Sequence, residues 1–210
     1  MIEIKRPSIP SAYEALWKRV WHYGKKDIDE RGDAVRVLHY VWVEITSDDL
    51  TYPSVCYVNE AIGDSFVDGL TDSDLSRCVG YEFDYGYGDR LRQKYALATV
   101  VEMLRENHKT RRGCIPITES NDLRASHMYN IEIPCATQVE FEVVDDKLDM
   151  VLHMRSNDVL NAFPSDVYGF RHLQMMVCDY TGIPIGNYYQ YIKNAHIIEH
   201  AAQDWIEEHL

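Results

Sequence analysis

The sequence predicts an α+β fold: a single domain over residues 1–210 in which helices pack on a mixed or antiparallel sheet. Three observations carry that prediction. Residues 35–45 and 137–154 alternate apolar and polar positions at the period of a half-buried strand. Residues 11–24, 89–107 and 164–180 repeat their apolar positions at helical spacing instead. No repeat, linker or low-complexity tract divides the chain, and its length suits one sizeable core.

Taken in order, Ser11-Ala12-Tyr13-Glu14 has the form of a capping box, and Tyr13, Leu16, Val20 and Tyr23 follow on one helical face until Gly24. The charged run 25–33 reads as a loop. Val35, Val37, Val41, Val43 and Ile45 form one face of a strand. A turn-rich connection around Pro53 leads to a helix over 60–70, weakened by Gly63 and Gly69. Residues 89–107 read as one helix with Leu91, Leu97, Val100, Val101 and Leu104 inward. From Arg111 the chain turns to β structure. Asp145-Asp146 marks a hairpin turn, after which Leu148, Met150, Leu152 and Met154 alternate. That hairpin brings Cys135 to one end and Arg155 to the other. Pro164 opens a helix with Phe170, Leu173 and Val177 inward, and Gly182-Ile183-Pro184 ends it. A strand to about His196 and a short helix complete the chain.

Composition narrows the function. A formal charge of -13 excludes a polyanion-binding surface, so no nucleic acid is expected as a partner. It leaves room for a small anion held by a few local arginines. The five cysteines (Cys56, Cys78, Cys114, Cys135, Cys178) are odd in number and lack C-x-x-C pairing, so neither a disulfide framework nor a zinc site is expected. Met1-Ile2-Glu3-Ile4-Lys5 is no signal peptide and no apolar run is long enough to span a membrane, which predicts a cytoplasmic protein without membrane partners.

The chemistry concentrates between Asn130 and His200. Alone, a cysteine placed like Cys135 is a small buried hydrophobe, and Arg155 is one end of a surface ion pair. Together they mean more, because an arginine beside a thiol favours the thiolate, the form that attacks carbon. Ser156, Asp166 and His196 add a hydroxyl, a carboxylate and an imidazole. Such a set can hold a phosphorylated pyrimidine and attack its ring.

The order of these groups resembles the thymidylate synthases. That family has a Pro-Cys, an Arg-Ser-x-Asp one hairpin later, a Pro-x-Asn, a helix and an Ala-His. Here stand Pro134-Cys135, Arg155-Ser156-Asn157-Asp158, Pro164-Ser165-Asp166 and Ala195-His196. Tyr87-Gly88-Asp89-Arg90-Leu91-Arg92 resembles the family's Tyr-Gly-x-x-x-Arg, and Thr110-Arg111-Arg112 its Ser-Arg-Arg. The wording around Glu132-Ile133-Pro134-Cys135 is most similar to short archaeal-type members.

The resemblance implies roles. Cys135 would add to C6 of a pyrimidine nucleoside monophosphate. Arg155 and Ser156 would bind the 5′-phosphate, with Arg155 also lowering the thiol's pKa, and Asp158 closes the same binding motif. Arg111 and Arg112 would reach across a homodimer interface to the partner's phosphate. Tyr87 and His196 would contact base or sugar, Glu60 is the candidate for the glutamate that organises proton transfers, and Arg31 the candidate for a flexible-loop phosphate ligand. The one-carbon donor implied is 5,10-methylenetetrahydrofolate or a pterin analogue.

Three departures from the family pattern matter. Ala136 stands where many members have histidine. Ile198 replaces the tyrosine of His-x-Tyr, which leaves the choice between deoxyribose and ribose open. Asp166 stands where thymidylate synthases have asparagine. Uracil offers an acceptor at O4 and a donor at N3–H, which an amide matches. Cytosine offers donors at N4 and, once N3 is protonated, a second donor; a carboxylate accepts from both. Cytidylate hydroxymethylases of the family also carry aspartate here. The expected reaction is therefore C5 hydroxymethylation of dCMP, with water capturing an exocyclic methylene; hydride capture would give 5-methyl-dCMP. About ten residues follow His200, and so short a tail favours water. The alternatives are a thymidylate synthase acting on dUMP and a nucleotide-binding protein without turnover.

Overall fold

The computed structural model describes residues 1–71 and 86–210; Cys78 lies outside them. The elements are β1 (Ile2–Arg6), α1 (Ile9–Tyr23), β2 (Lys25–Ile28), β3 (Ala34–Ile45), α2 (Glu60–Thr71), α3 (Tyr87–Arg92) and α4 (Ala96–Glu106). After them come β4 (Cys114–Pro116), α5 (Ser120–Tyr129), β5 (Ala136–Val144), β6 (Lys147–Met154), β7 (Asn157–Asp158), α6 (Phe163–Thr181), β8 (Ile185–Ile198) and α7 (Glu199–His209). Among the described residues the strands form one mixed sheet in the order β1-β3-β8-β6-β5-β4, with β2 beside β3 and β7 beside β8. The β5–β6 hairpin is antiparallel, whereas β6 and β7 both run parallel to β8. This is the α+β arrangement that the two periodicities predict.

Alternation decides which sheet face is buried. Val41, Val43, Met150, Leu152, Tyr188 and Ile192 are buried, and α6 adds Phe163, Phe170, Leu173 and Val177. Burying one such side chain contributes about 1.5–3 kcal/mol, so this helix–sheet contact dominates the stability. Pro164 in its first turn and Gly182 at φ 74 fix where α6 begins and ends. Gly169 lets α2 close on α6, because a Cβ there would stand 2.1 Å from the Phe66 ring.

Several elements differ from the sequence expectation, each for a physical reason. The cap of α1 is Ser8, reciprocally bonded with Ser11, which places Ser11 inside the helix and moves the start upstream of the predicted one. The run 25–33 contains β2, whose residues are all exposed; it is held by backbone pairing with β3 rather than by burial, and exposed strands leave no apolar period to read. Residues 89–107 do not form one helix. Tyr95, at φ 60, separates α3 and its following 3-10 turn from α4. The β region expected from Arg111 is interrupted by α5, which buries no side chain and therefore shows no stripe. It is held by reciprocal capping between Glu119 and Asp122 and by Arg90, 2.5 Å from Asp122. At the hairpin turn Asp145 and Asp146 have φ 50 and φ 60, the twist that suits a two-residue turn.

Candidate active site

The site lies where the start of β5, the end of β6, β7 and the start of α6 converge. Pairing of Ala136 with Met154 sets Cys135 beside Arg155, whose backbone N–H donates to the Cys135 carbonyl at 2.8 Å. The Arg155 guanidinium folds back on the same segment, with Nε donating to the Pro134 carbonyl at 3.0 Å and Nη2 to the Ile133 carbonyl at 2.8 Å. It both fixes the backbone under the thiol and places a cation near it.

Burial nonetheless wins at the thiol. It pushes the Cys135 pKa above its ordinary value; Arg155 and Arg31 pull it down, while Asp166 and Glu132 push it up. The expected net depression by Arg155 is thus corrected to a partial offset, because desolvation of a thiolate outweighs one neighbouring charge. Alkylation of Cys135 by iodoacetamide should therefore still be accelerating with pH above 9.0, the thiol's ordinary value. Arg155→Ala should slow it several-fold at pH values near neutrality, as peptide mapping after a short exposure would show.

Ser156 Oγ lies 3.3 Å from Nδ1 of His196, which β8 presents beside Asp158 of β7. The Asp158 carboxylate accepts from the backbone N–H groups of Leu160 and Asn161 and from Asn161 Nδ2. It shapes the turn that leads into α6. Tyr87 Oη accepts from the backbone N–H of Ala136 at 3.2 Å, and its ring packs near Phe66 and Phe170. Arg31, on the turn between β2 and β3, is ion-paired with Glu132, within the electrostatic reach of Cys135. Glu60 is exposed at the start of α2 and acts on Tyr52 and Tyr168; Tyr52 Oη is 3.2 Å from Ser165 Oγ, one residue before Asp166.

Asp166 sits in the first turn of α6, 6% exposed. Burial pushes its carboxyl up to about 7 against the downward pull of one hydrogen bond, from Asn157 Nδ2 at 2.6 Å. Nearby, Tyr188 donates to Gln190 Oε1 at 2.7 Å, and the field of Asp166 adds to the burial that raises the Tyr188 hydroxyl's pKa. Arg111 and Arg112 are not part of this cluster. They are exposed just before β4, where Gly113 pairs with Phe141 near the far end of β5, roughly 20 Å along the strand from Cys135.

Residues 41–210 match the family model described as thymidylate synthase. The chain belongs to the thymidylate synthase family. Two similar proteins are named "Putative thymidylate synthase". That of Methanococcoides burtonii is 27% identical, with 96% of this chain and 90% of the relative covered. That of Methanocaldococcus jannaschii is 25% identical over 100% of this chain and 96% of the relative. The thymidylate synthase of Streptococcus pyogenes is 30% identical over 130 residues, 60% of this chain and 44% of its own. As a member of this family the chain is a C5 transferase that binds a pyrimidine nucleotide. No helix of the described residues is long and apolar enough to cross a membrane.

Asn157, Tyr188 and Gln190 of the site escape the sequence reading, and so does Arg171, a structural residue away from it at the start of β8. Arg171 is fully buried, with Nη1 donating to Gln174 Oε1 and the Gly186 carbonyl and Nη2 to the Ser47 carbonyl. It ties the start of β8 to α6. The available signal was a set of polar residues falling at inward positions of otherwise apolar elements.

Proposed function

We propose that this protein is a cytidylate C5 hydroxymethyltransferase that acts on dCMP through a covalent adduct at Cys135. The observation that carries the reading is a carboxyl, Asp166, buried at the active thiol's side where the family has an amide. A buried carboxyl costs stability unless a partner matches it, and the amino-pyrimidine edge of cytosine is such a partner.

The residues divide the work. Arg155 keeps Nη1 without a partner among the described residues and, with Ser156 Oγ, can meet the 5′-phosphate. Arg31 joins them once its pairing with Glu132 is exchanged for phosphate. Cys135 thiolate forms a bond to C6, and the electron pair displaced moves toward N3, where the proton shared with Asp166 neutralises it. That makes C5 a carbon nucleophile. The donor, 5,10-methylenetetrahydrofolate, supplies a one-carbon unit at the oxidation level of formaldehyde. The half-buried rings of Phe66 and Tyr87 pack edge to face 5.8 Å apart, and Tyr87 Oη accepts from the N–H of Ala136 next to Cys135; aromatic surface beside the thiol suits a flat pterin. Once C5 has bonded to that carbon, loss of the C5 proton with release of tetrahydrofolate leaves an exocyclic methylene on the ring; addition of water there and expulsion of Cys135 complete 5-hydroxymethyl-dCMP. No electrons are gained or lost.

The names of the relatives favour a second reading, reductive methylation of dUMP. Incubation with dCMP, dUMP or CMP and methylenetetrahydrofolate, followed by weighing the nucleotides, separates the two. The expected product is dCMP increased by CH2O. A CH2 gain on dUMP with dCMP unchanged would establish the second reading.

A homodimer with shared sites completes the proposal. The helices gather on one sheet face, linked through contacts such as Trp17 with Trp205. Alternate strand positions put Trp42, Val151, His153, Tyr189 and Tyr191 on the other face, where no helix packs among the described residues. A second copy seated there explains those half-buried rings and gives the distant Arg111 and Arg112 a phosphate to reach. Mixing Arg112→Ala with Cys135→Ala protein should then restore part of the activity through hybrid dimers. Subunit exchange without restored activity would contradict shared sites.

A further inference from the structure

Asn157 is 1% exposed at the start of β7, between the two motif residues Ser156 and Asp158. Its Nδ2 donates to Asp166 Oδ2 at 2.6 Å, while its own Oδ1 is buried without a hydrogen-bond partner among the described residues. A buried carbonyl without a partner costs free energy, so this amide is poorly explained as a stabilising contact alone. What it does accomplish is to make the two oxygens of Asp166 unequal.

Resting on the cytidylate reading above, we propose that Asn157 is a specificity-determining residue: by holding Oδ2 as an acceptor it seats the proton shared with the base on the Oδ1 side. Proton counting shows why this selects a base. A carboxyl and cytosine together form two hydrogen bonds when they hold one proton between Oδ1 and N3, with Oδ2 accepting from the N4 amino group. A carboxyl and uracil also need one proton, but at the other position, donated to O4 while the second oxygen accepts from N3–H. A carboxyl free to carry its proton on either oxygen accepts both bases. With Oδ2 committed by Asn157, cytosine is matched at two positions and uracil is opposed at two. Aspartate at 166 is therefore not sufficient for cytosine preference, and Asn157 acts through it as a positioning residue. The titratable groups that face Asp166 are Cys135, before β5, and Tyr188 of β8; Tyr52 and Glu60 lie on the Ser165 side of the helix start.

The test is a set of dissociation constants for dCMP and dUMP, from below to above neutral pH, with the full chain and four variants: Asn157→Ala, Asn157→Ser, Asp166→Asn and Asp166→Asn with Asn157→Ala. Asn157→Ala should bind dUMP more tightly and dCMP slightly less, so that the preference for dCMP falls roughly ten- to a hundred-fold. Asn157→Ser, which keeps a small polar side chain and guards against a variant that does not fold, should show the same change in smaller degree. The pH at which dCMP binding weakens should move upward in Asn157→Ala, because the lost donor had been pulling Asp166 down. In the Asp166→Asn background the Asn157 amide can turn to meet either the carbonyl or the NH2 of residue 166, so removing Asn157 should leave the base preference unchanged. A loss of affinity for both nucleotides alike, or a change of preference that persists without Asp166, would overturn the inference and leave the cytidylate reading standing. A wild type that prefers dUMP would overturn that reading, and the inference with it.

Discussion

Asp166→Asn is expected to move activity from dCMP to dUMP. The amide donates where the carboxylate accepts, so kcat/KM for dCMP should fall by roughly 10²–10⁴-fold, the cost of opposing a buried polar pair in the transition state. The gain on dUMP should be smaller, since Ala136 lacks the imidazole that many members of the family place there. The substitution should also stabilise the protein, with a defined pH dependence. The Asp166 carboxyl ionises at about 7 when folded, against 3.8 as its ordinary value. Its folded pKa is raised, so the folded state binds the proton more tightly than the unfolded chain does. Stability then falls as pH rises from about 4 to about 7 and is level beyond, a penalty of up to about 4 kcal/mol. Asparagine does not ionise. The stability advantage of Asp166→Asn over wild type should therefore grow across that interval, as denaturant melts at several pH values would show. An advantage independent of pH would mean that Asp166 is ionised in the unliganded protein without cost.

Cys135→Ser should lower turnover by at least about 10³-fold, because an alcohol at neutral pH supplies almost no anion to add to C6. Nucleotide affinity should change far less. Arg155 remains bonded to the carbonyls of Ile133 and Pro134, and these bonds do not involve the side chain at 135. A variant that loses affinity and turnover together would point instead to a role for the thiol in shaping the pocket.

What the sequence discloses and what it hides follow from the range of the interactions. The hairpin that joins Cys135 to Arg155 is legible because strand alternation and a turn are local patterns, and α6 because Pro164, its apolar stripe and Gly182 are local too. Asp166 is legible because the resemblance sets it where the family has asparagine, and its proposed role as base reader follows from the chemistry of one side chain against two pyrimidines. Asn157 is not, since its meaning depends on a contact across a turn to α6 that no periodicity encodes. Tyr188 and Gln190 look like ordinary inward positions of β8, and only the assembled sheet shows Tyr188 within the field of Asp166 and Gln190 bonded to Tyr188. The same limit explains β2 and α5, whose stability comes from pairing with β3 and from the Arg90 ion pairs rather than from an apolar face. The thiol's ionisation is hidden for another reason: sequence displays the neighbouring arginine but not the depth of burial that opposes it.

The central claim is that Cys135 attacks a cytosine chosen by Asp166, and trapping tests it most directly. Fluorine at C5 cannot leave as a proton, so a 5-fluoropyrimidine that has been attacked and has received the one-carbon unit stays bonded to the nucleophile. The protein is incubated with an equal mixture of 5-fluoro-dCMP and 5-fluoro-dUMP plus methylenetetrahydrofolate, digested, and its peptides weighed. The expected result is one adduct, on the peptide that contains Cys135, with the combined mass of the fluorocytidylate and the methylenetetrahydrofolate joined to it. A fluorouridylate on that peptide, or an adduct on Cys56, Cys114 or Cys178, would contradict the account.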